Sequence, residues 1–170
     1  MLSESARVTT AAESRFRIDA PNSMARAIKV IALDAPSERV VKRLAQGSWN
    51  RATFFTASSF AAKPQTGERF SVSGWLSDLA GRTKDLIDEV AGADLVVMIA
   101  ASGENAQAAG LIGEACAARR VMTTALVLGG EGASDEALAK TLAQLRPHAM
   151  MLVIANADEY IEDMLTALRA

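Results

Sequence analysis

Short apolar runs alternate with amphipathic stretches along most of the 170-residue chain. The apolar runs are rich in Val and Ile and are bounded by turn residues, which is typical of buried β-strands. They predict strands at residues 27–33, 51–56, 95–100, 121–128 and 149–155. Most of these runs are continuous rather than alternating, as expected for strands that helices cover on both faces of a sheet.

Apolar residues recur at helical spacing between the predicted strands. Helices are expected at residues 37–46, 75–90 (interrupted at Gly81), 106–119, between the cap Ser134 and the breaker Pro147, and 158–169. Because the connection between two parallel strands of one sheet is right-handed, this alternation predicts an α/β fold. The expected architecture is a three-layer, doubly wound, mostly parallel sheet of Rossmann-like type.

Two stretches depart from this regular alternation. Residues 1–24 are polar and aperiodic, and we interpret them as a flexible N-terminal arm that precedes a single α/β domain at residues 25–170. Residues 57–75 contain Pro64, Gly67 and Gly74, and only residues 69–73 alternate as a short strand would. A connection this long is usually functional or mobile.

Composition narrows the class of protein. The net charge is −2 and the basic residues are scattered, whereas nucleic-acid-binding proteins usually carry a basic stripe. No apolar run approaches the ~20 residues of a membrane-spanning helix, and the N-terminus has no apolar signal-peptide core. The single cysteine excludes an internal disulfide. We therefore expect a cytoplasmic protein that binds neither nucleic acid nor membrane.

Candidate ligand-binding residues cluster in the turns that follow the strands, where an open α/β sheet binds its ligands. Ser102, Gly103 and Asn105 follow the strand at residues 95–100, and Ser37 opens the first helix. Backbone N–H groups at such turns favour anions. The alternative is an ordinary turn in which Ser102 caps the helix, and Glu104 adds a negative charge that a phosphate would avoid.

Two further turns supply the remaining candidates. Gly129 and Gly130 follow the strand at residues 121–128, and Asn156 follows the last strand. The glycines could close over a ligand, although such a run more often lets the chain reverse direction. Asn156 could contact a sugar or a base.

Catalytic signatures are weak. Neither GxGxxG nor GxxxxGK[ST] occurs, and the lone His148 is expected at the opposite end of the strands from the candidate turns. Cys116 lies among alanines and is expected to be a buried, unreactive residue. An enzyme that uses Asp34 or Glu104 as acid/base remains one alternative. A second alternative is a protein-interaction module or homodimer whose apolar patch involves Met164 and Leu168 or the region of Trp75.

Three segments resemble the nucleotide-binding domain of the FtsZ/tubulin family. Residues 93–97 resemble the strand before the signature loop, residues 108–114 the helix after it, and residues 144–156 the segment that ends in the asparagine-bearing loop. The family loop GGGTGTG is here ASGENAQ, in which one glycine remains, and the sequence stops before the family's long central helix. The resemblance implies an FtsZ-like fold with a degenerate phosphate loop, a nucleotide as the conceivable ligand, and no GTP hydrolysis.

Taken together, these observations predict a non-catalytic, regulatory protein. It would bind a small anionic ligand or nucleotide, with no metal, through Ser37, Ser102, Gly103, Asn105, Gly129, Gly130 and Asn156.

Overall fold

A seven-stranded sheet forms the middle layer of the molecule in a computed structural model, which describes residues 24–57, 75–129, 133–155 and 158–170. The strands are β1 (Ile28–Ala32), β2 (Ala52–Thr56), β3 (Trp75–Asp78), β4 (Thr83–Asp85), β5 (Leu95–Ala101), β6 (Met122–Leu128) and β7 (Met151–Ala155). Their spatial order is β4-β3-β2-β1-β5-β6-β7.

Helices cover both faces of this sheet, so the predicted α/β, three-layer, mostly parallel Rossmann-like fold is confirmed. The helices are α1 (Ala35–Leu44), α2 (Leu86–Ala91), α3 (Ala108–Arg119), α4 (Asp135–Leu145) and α5 (Asp158–Ala167). One turn of 3₁₀ helix, Arg146–His148, follows α4 at the expected breaker Pro147.

The strand order places a topological switch point between β1 and β5. Strands β2, β1, β5, β6 and β7 are mutually parallel. Counted along the chain, they have the spatial order 2-1-3-4-5 of flavodoxin-like folds, in which the ligand lies at the carboxyl ends of the first and third strands. Here those strands are β1 and β5.

Two apolar clusters, one on each face of the sheet, make up the core. The first packs α2, α3 and α4 on one face and includes Met98, Ile112 and Leu145. The second packs α1 and α5 on the other face and includes Val41 and Ile161. The interior strand β5 is buried along almost its whole length, which explains its continuous apolar sequence.

The helix predicted at residues 75–90 is wrong up to residue 85, and only its last part is helical. The chain instead forms an antiparallel hairpin of β3 and β4, followed by the short helix α2. The Asp78 carboxylate accepts from the backbone N–H groups of Ala80 and Arg82 at 3.0 and 2.8 Å, and Gly81 has a φ of +77°. The backbone N–H of Arg82 also lowers the pKa of Asp78. Local turn chemistry therefore overrides the helical spacing of the apolar residues.

One helix cap differs from expectation. Asp34, not Ser37, is the N-cap of α1, and Asp85 caps α2. Ser134 caps α4 as predicted, because its hydroxyl accepts from the N–H of Ala137. Trp49 packs its ring against Phe54 at 6.0 Å and donates to the carbonyl of Leu44 at 2.6 Å.

Some predictions fall outside the described residues. They concern the N-terminal arm, the short strand at residues 69–73, Gly130 and Asn156. They stay predictions.

Candidate functional site

The turns after β1 and β5 meet at the switch point, and the buried side chain of Asp34 ties them together. One carboxylate oxygen accepts from the N–H of Ser37 at 2.8 Å. The other accepts from the N–H of Ala101 at 2.8 Å, at the end of β5. Asp34 is 6 % exposed, so both oxygens are committed to the backbone and Asp34 closes this edge of the sheet.

Ser37 belongs to the same hydrogen-bonded network as Asp34. It is fully buried, its N–H donates to the Asp34 carboxylate, and its hydroxyl donates to the Asp34 carbonyl at 3.0 Å. Because both donors are occupied inside the protein, the expectation that Ser37 donates to a ligand does not match this geometry. The residue forms half of a capping box that starts α1.

The turn after β5 directs its backbone N–H groups inward, contrary to the expectation that they point outward as an anion cradle. The N–H of Ser102 donates to the carbonyl of Leu128 at 3.0 Å. The N–H of Gly103 donates to the Thr141 hydroxyl at 2.9 Å. The N–H of Ala106 donates to the Gln144 side chain at 2.6 Å. Side chains of α4 therefore take up donors that a phosphate loop would offer to its ligand.

Gly103 and Asn105 have local structural roles. Gly103 has a φ of +85°, which side-chain-bearing residues rarely adopt. The Asn105 side chain accepts from the N–H of Gln107 at 3.0 Å just before α3. Gly129, at the end of β6, donates its N–H to the carbonyl of Ala155 at 3.0 Å.

A cleft of about 530 Å³ opens beside these turns, between α1 and the carboxyl ends of β5 and β6. Its volume lies in the range of small-molecule sites, roughly 300–1,000 Å³. The described residues that line it are Pro36, Arg39, Val40, Arg43, Ala101, Ser102, Leu128 and Ala133.

Ser102 contributes the unusual polar atom of this cleft. Among the described residues, its Oγ is the buried side-chain polar atom that has no hydrogen-bond partner. Leaving a buried hydroxyl without a partner costs about 1–3 kcal/mol. A native protein normally satisfies such a group with a side chain, a water molecule or a ligand. Of the predicted site residues that the structure describes, Ser102 lines the cleft, and its hydroxyl is not used inside the protein.

Two arginines that the sequence interpretation overlooked form the outer wall of the cleft. Arg39 and Arg43 lie four residues apart on α1, so they share one face of the helix. Both are exposed, and no acidic residue stands among the described residues that line the cleft. The sequence could have identified these arginines, because the helix after the first strand of such a sheet borders the switch point.

The two carboxylates of the enzyme alternative do not line the cleft. Asp34 is occupied on both oxygens, and Glu104 is exposed. Within the part of the chain that the structure describes, no group of three or more His, Cys, Asp or Glu residues could hold a metal ion.

The amino ends of the strands carry a separate pocket of about 480 Å³, which Cys116 and His148 line. His148 packs on α3 so closely that a Cβ on Gly113 would lie 2.6 Å from the Cβ of His148. Cys116 is fully buried, and burial raises the pKa of its thiol to about 11. The predicted placement of His148 away from the candidate turns and the burial of Cys116 are both confirmed.

Met164 and Leu168, predicted in an exposed patch, are half-buried and pack against the core beneath α5. The patch expected there is therefore not found. The alternative patch near Trp75 stays a prediction, because the side chain of Trp75 is not among those that the structure describes. In the described ranges, no helix is long and apolar enough to cross a membrane.

No protein-family model matches the chain, and no curated protein matches it. A conserved protein from Enterococcus faecalis V583, known from a crystal structure, is similar at 14 % identity with a TM-score of 0.41. The match covers 83 % of this chain and 99 % of that one.

Proposed function

We propose that the chain binds a small ligand carrying a phosphate or carboxylate group in the cleft at the switch point, without catalysing a reaction on it. The observation that carries the proposal is the buried, unpartnered Oγ of Ser102 in a cleft whose charged lining residues are Arg39 and Arg43. A ligand oxygen would accept a hydrogen bond from the hydroxyl, and its negative charge would be attracted to the guanidinium groups.

Recognition in this proposal rests on side chains rather than on a backbone cradle. The N–H groups of Ser102 and Gly103 are already used inside the protein, so they are not offered to a phosphate. Two arginines on an exposed helix face instead give an affinity that falls as salt screens their charge. This differs from the P-loop mode, in which backbone groups enclose the phosphate.

A nucleotide is the first ligand class to test, since the resemblance to the FtsZ/tubulin family points to one and the cleft is large enough for a drug-sized molecule. The FtsZ-like identity itself stays a prediction. A regulatory role and a cytoplasmic location belong to the same proposal. In support of binding without catalysis, none of the described residues that line the cleft is a carboxylate, histidine or cysteine.

Isothermal titration calorimetry with GTP, ATP, NAD, FAD and inorganic pyrophosphate tests the proposal. We expect heat of binding with at least one of them, and weaker binding at higher salt. Arg39→Gln should weaken that binding about tenfold, the effect of one charge-assisted hydrogen bond. Arg119→Gln is the matched control, because it removes an exposed cation from the last turn of α3, which does not line the cleft.

Ser102→Ala separates a binding role from a structural one. The hydroxyl has no partner in the protein, so its removal should raise the melting temperature or leave it unchanged, and should still weaken ligand binding several-fold. No heat with any of the five compounds would overturn the proposal. So would binding that is indifferent to both Arg39→Gln and Ser102→Ala.

A further inference from the structure

Strand β7 has the composition of an interior strand but lies at the edge of the sheet. Its sequence, MLVIA, is uncharged and apolar at every position. Interior strands of parallel sheets have such sequences because helices and neighbouring strands cover them. Among the described residues, β7 pairs only with β6, and its other side has no strand beside it.

The helices leave β7 half-covered on both faces of the sheet. Val153 and Leu152 pack against the two opposite core clusters, so successive residues of β7 point to opposite faces. Met151 shares a face with Val153 and is 41 % exposed, whereas Ile154 shares a face with Leu152 and is 43 % exposed. Each face of the edge strand therefore presents an uncovered apolar side chain.

The opposite edge of the same sheet is protected. Strand β4 has three residues, Thr83–Asp85, and two of them are charged. Short length and charge are the usual devices by which an edge strand avoids pairing with another chain. Neither device is present at β7, where five uncharged residues follow the exposed Met150.

We infer that β7 pairs antiparallel with β7 of a second copy of this chain, so that two sheets join into one across a two-fold axis. In β7 the carbonyl of Ala155 accepts from Gly129 on the β6 side. Because backbone groups alternate along a strand, those of Leu152 and Ile154 point to the open side. A two-fold axis at Val153 then sets Leu152 opposite Ile154 of the second copy, and each such pair exchanges two backbone hydrogen bonds.

A second copy fits this edge because the pairing brings no like charges together. Met151 lies opposite Ala155 of the other copy, Leu152 opposite Ile154, and Val153 opposite its own equivalent. A large side chain thus meets a small one, and an aliphatic side chain meets an aliphatic one, on the same face. A partner strand with charged side chains would have to place them against these apolar residues.

Analytical ultracentrifugation of the full chain over a range of concentrations tests the inference. We expect a reversible dimer. Ile154→Lys should raise its dissociation constant about a hundredfold, since each dimer holds two substituted sites. Thr83→Lys, which puts the same charge on the opposite edge, is the matched control and should leave the dimer unchanged. A monomer at all concentrations, or a dimer that Thr83→Lys weakens as much as Ile154→Lys, overturns the inference.

A cysteine substitution tests the register of the two β7 strands. It also avoids a charged residue, so its outcome does not depend on whether Ile154→Lys folds. Non-hydrogen-bonded residues on antiparallel strands have Cα atoms about 4.5 Å apart, within the span of a disulfide. Val153→Cys should therefore form a covalent dimer on mild oxidation, whereas Thr83→Cys should not. The native Cys116 is buried and does not compete. Failure of Val153→Cys to cross-link any faster than Thr83→Cys contradicts the proposed axis.

Discussion

The two ends of the parallel strands are closed by different means. At the carboxyl ends, polar side chains bind backbone N–H groups. Asp34 joins the turns after β1 and β5, and Thr141 and Gln144 of α4 anchor the turn after β5. At the amino ends, His148 packs against Gly113 and a buried thiol lies beside them. The polar end keeps one unpartnered hydroxyl, that of Ser102, and a cleft that two arginines also line. Polar residues alone therefore do not make a ligand site, because the protein itself uses most of their hydrogen-bonding groups.

Removal of the Asp34 carboxylate should have the largest effect on stability. Asp34→Ala deletes two hydrogen bonds between a buried carboxylate and backbone N–H groups. We expect the free energy of unfolding to fall by about 3 kcal/mol, measured by urea denaturation. Asp34→Asn keeps one carbonyl acceptor and should lose less. An Asp34→Ala variant as stable as the parent would show that this side chain does not hold the two turns together.

The packed end is tested by two glycines of α3 that face the same histidine. Gly113→Ala places a Cβ 2.6 Å from the Cβ of His148 and should cost about 2 kcal/mol. At Gly110 the nearest His148 atom lies at 3.7 Å, an ordinary contact. Gly110→Ala should therefore stabilise the helix by up to about 1 kcal/mol. Thermal unfolding of both variants tests this difference. A change in melting temperature of the same sign and size for the two would refute the close packing of His148 on Gly113.

Thr141→Val tests the anchoring of the turn after β5. The substitution keeps the shape of the side chain but removes the acceptor of the Gly103 N–H. We expect a loss of about 1–2 kcal/mol and faster hydrogen exchange at the Gly103 amide, measured by NMR. Unchanged exchange at that amide would mean that the threonine does not protect it.

The smallest effect concerns Cys116, whose reactivity reports on the integrity of the packed end. The pKa of this thiol is raised from 9.0 to about 11 by burial. Below pH 9 the folded protein therefore holds about a hundredfold less thiolate than an ordinary cysteine does. Labelling with a thiol reagent at pH 8 should be slow in the native protein and fast in urea. Rapid labelling without denaturant would contradict the burial.

The sequence predicts most of the fold because the elements that carry it are strongly patterned. The interior strand β5 is a continuous apolar run, and β1 and β6 are short, mostly apolar segments rich in β-branched residues, a pattern typical of buried strands. The hairpin of β3 and β4 was missed since three contacts of the Asp78 carboxylate, which the apolar spacing does not reveal, set its turn.

The candidate site was predicted in place but not in detail. The turn that holds Ser102 could be located from strand ends alone. Which of its donors are free depends on Thr141 and Gln144, which lie about 40 residues further along the chain. The packing of α4 on the sheet brings these partners to the turn, and the local sequence of the turn does not indicate them. Arg39 and Arg43 were not predicted, because apolar spacing identifies only the buried face of α1 and these arginines lie on its exposed face.

We propose that the carboxyl-end cleft, and not the amino-end pocket, binds an anion. A ¹H–¹⁵N NMR titration of the full chain with inorganic pyrophosphate distinguishes the two. We expect the amide shift changes to concentrate at residues 37–43 and 101–103, and the amides of residues 113–123 and 148–150 to be unaffected. Shift changes confined to the amino-end residues, or none at millimolar pyrophosphate and low salt, would contradict it.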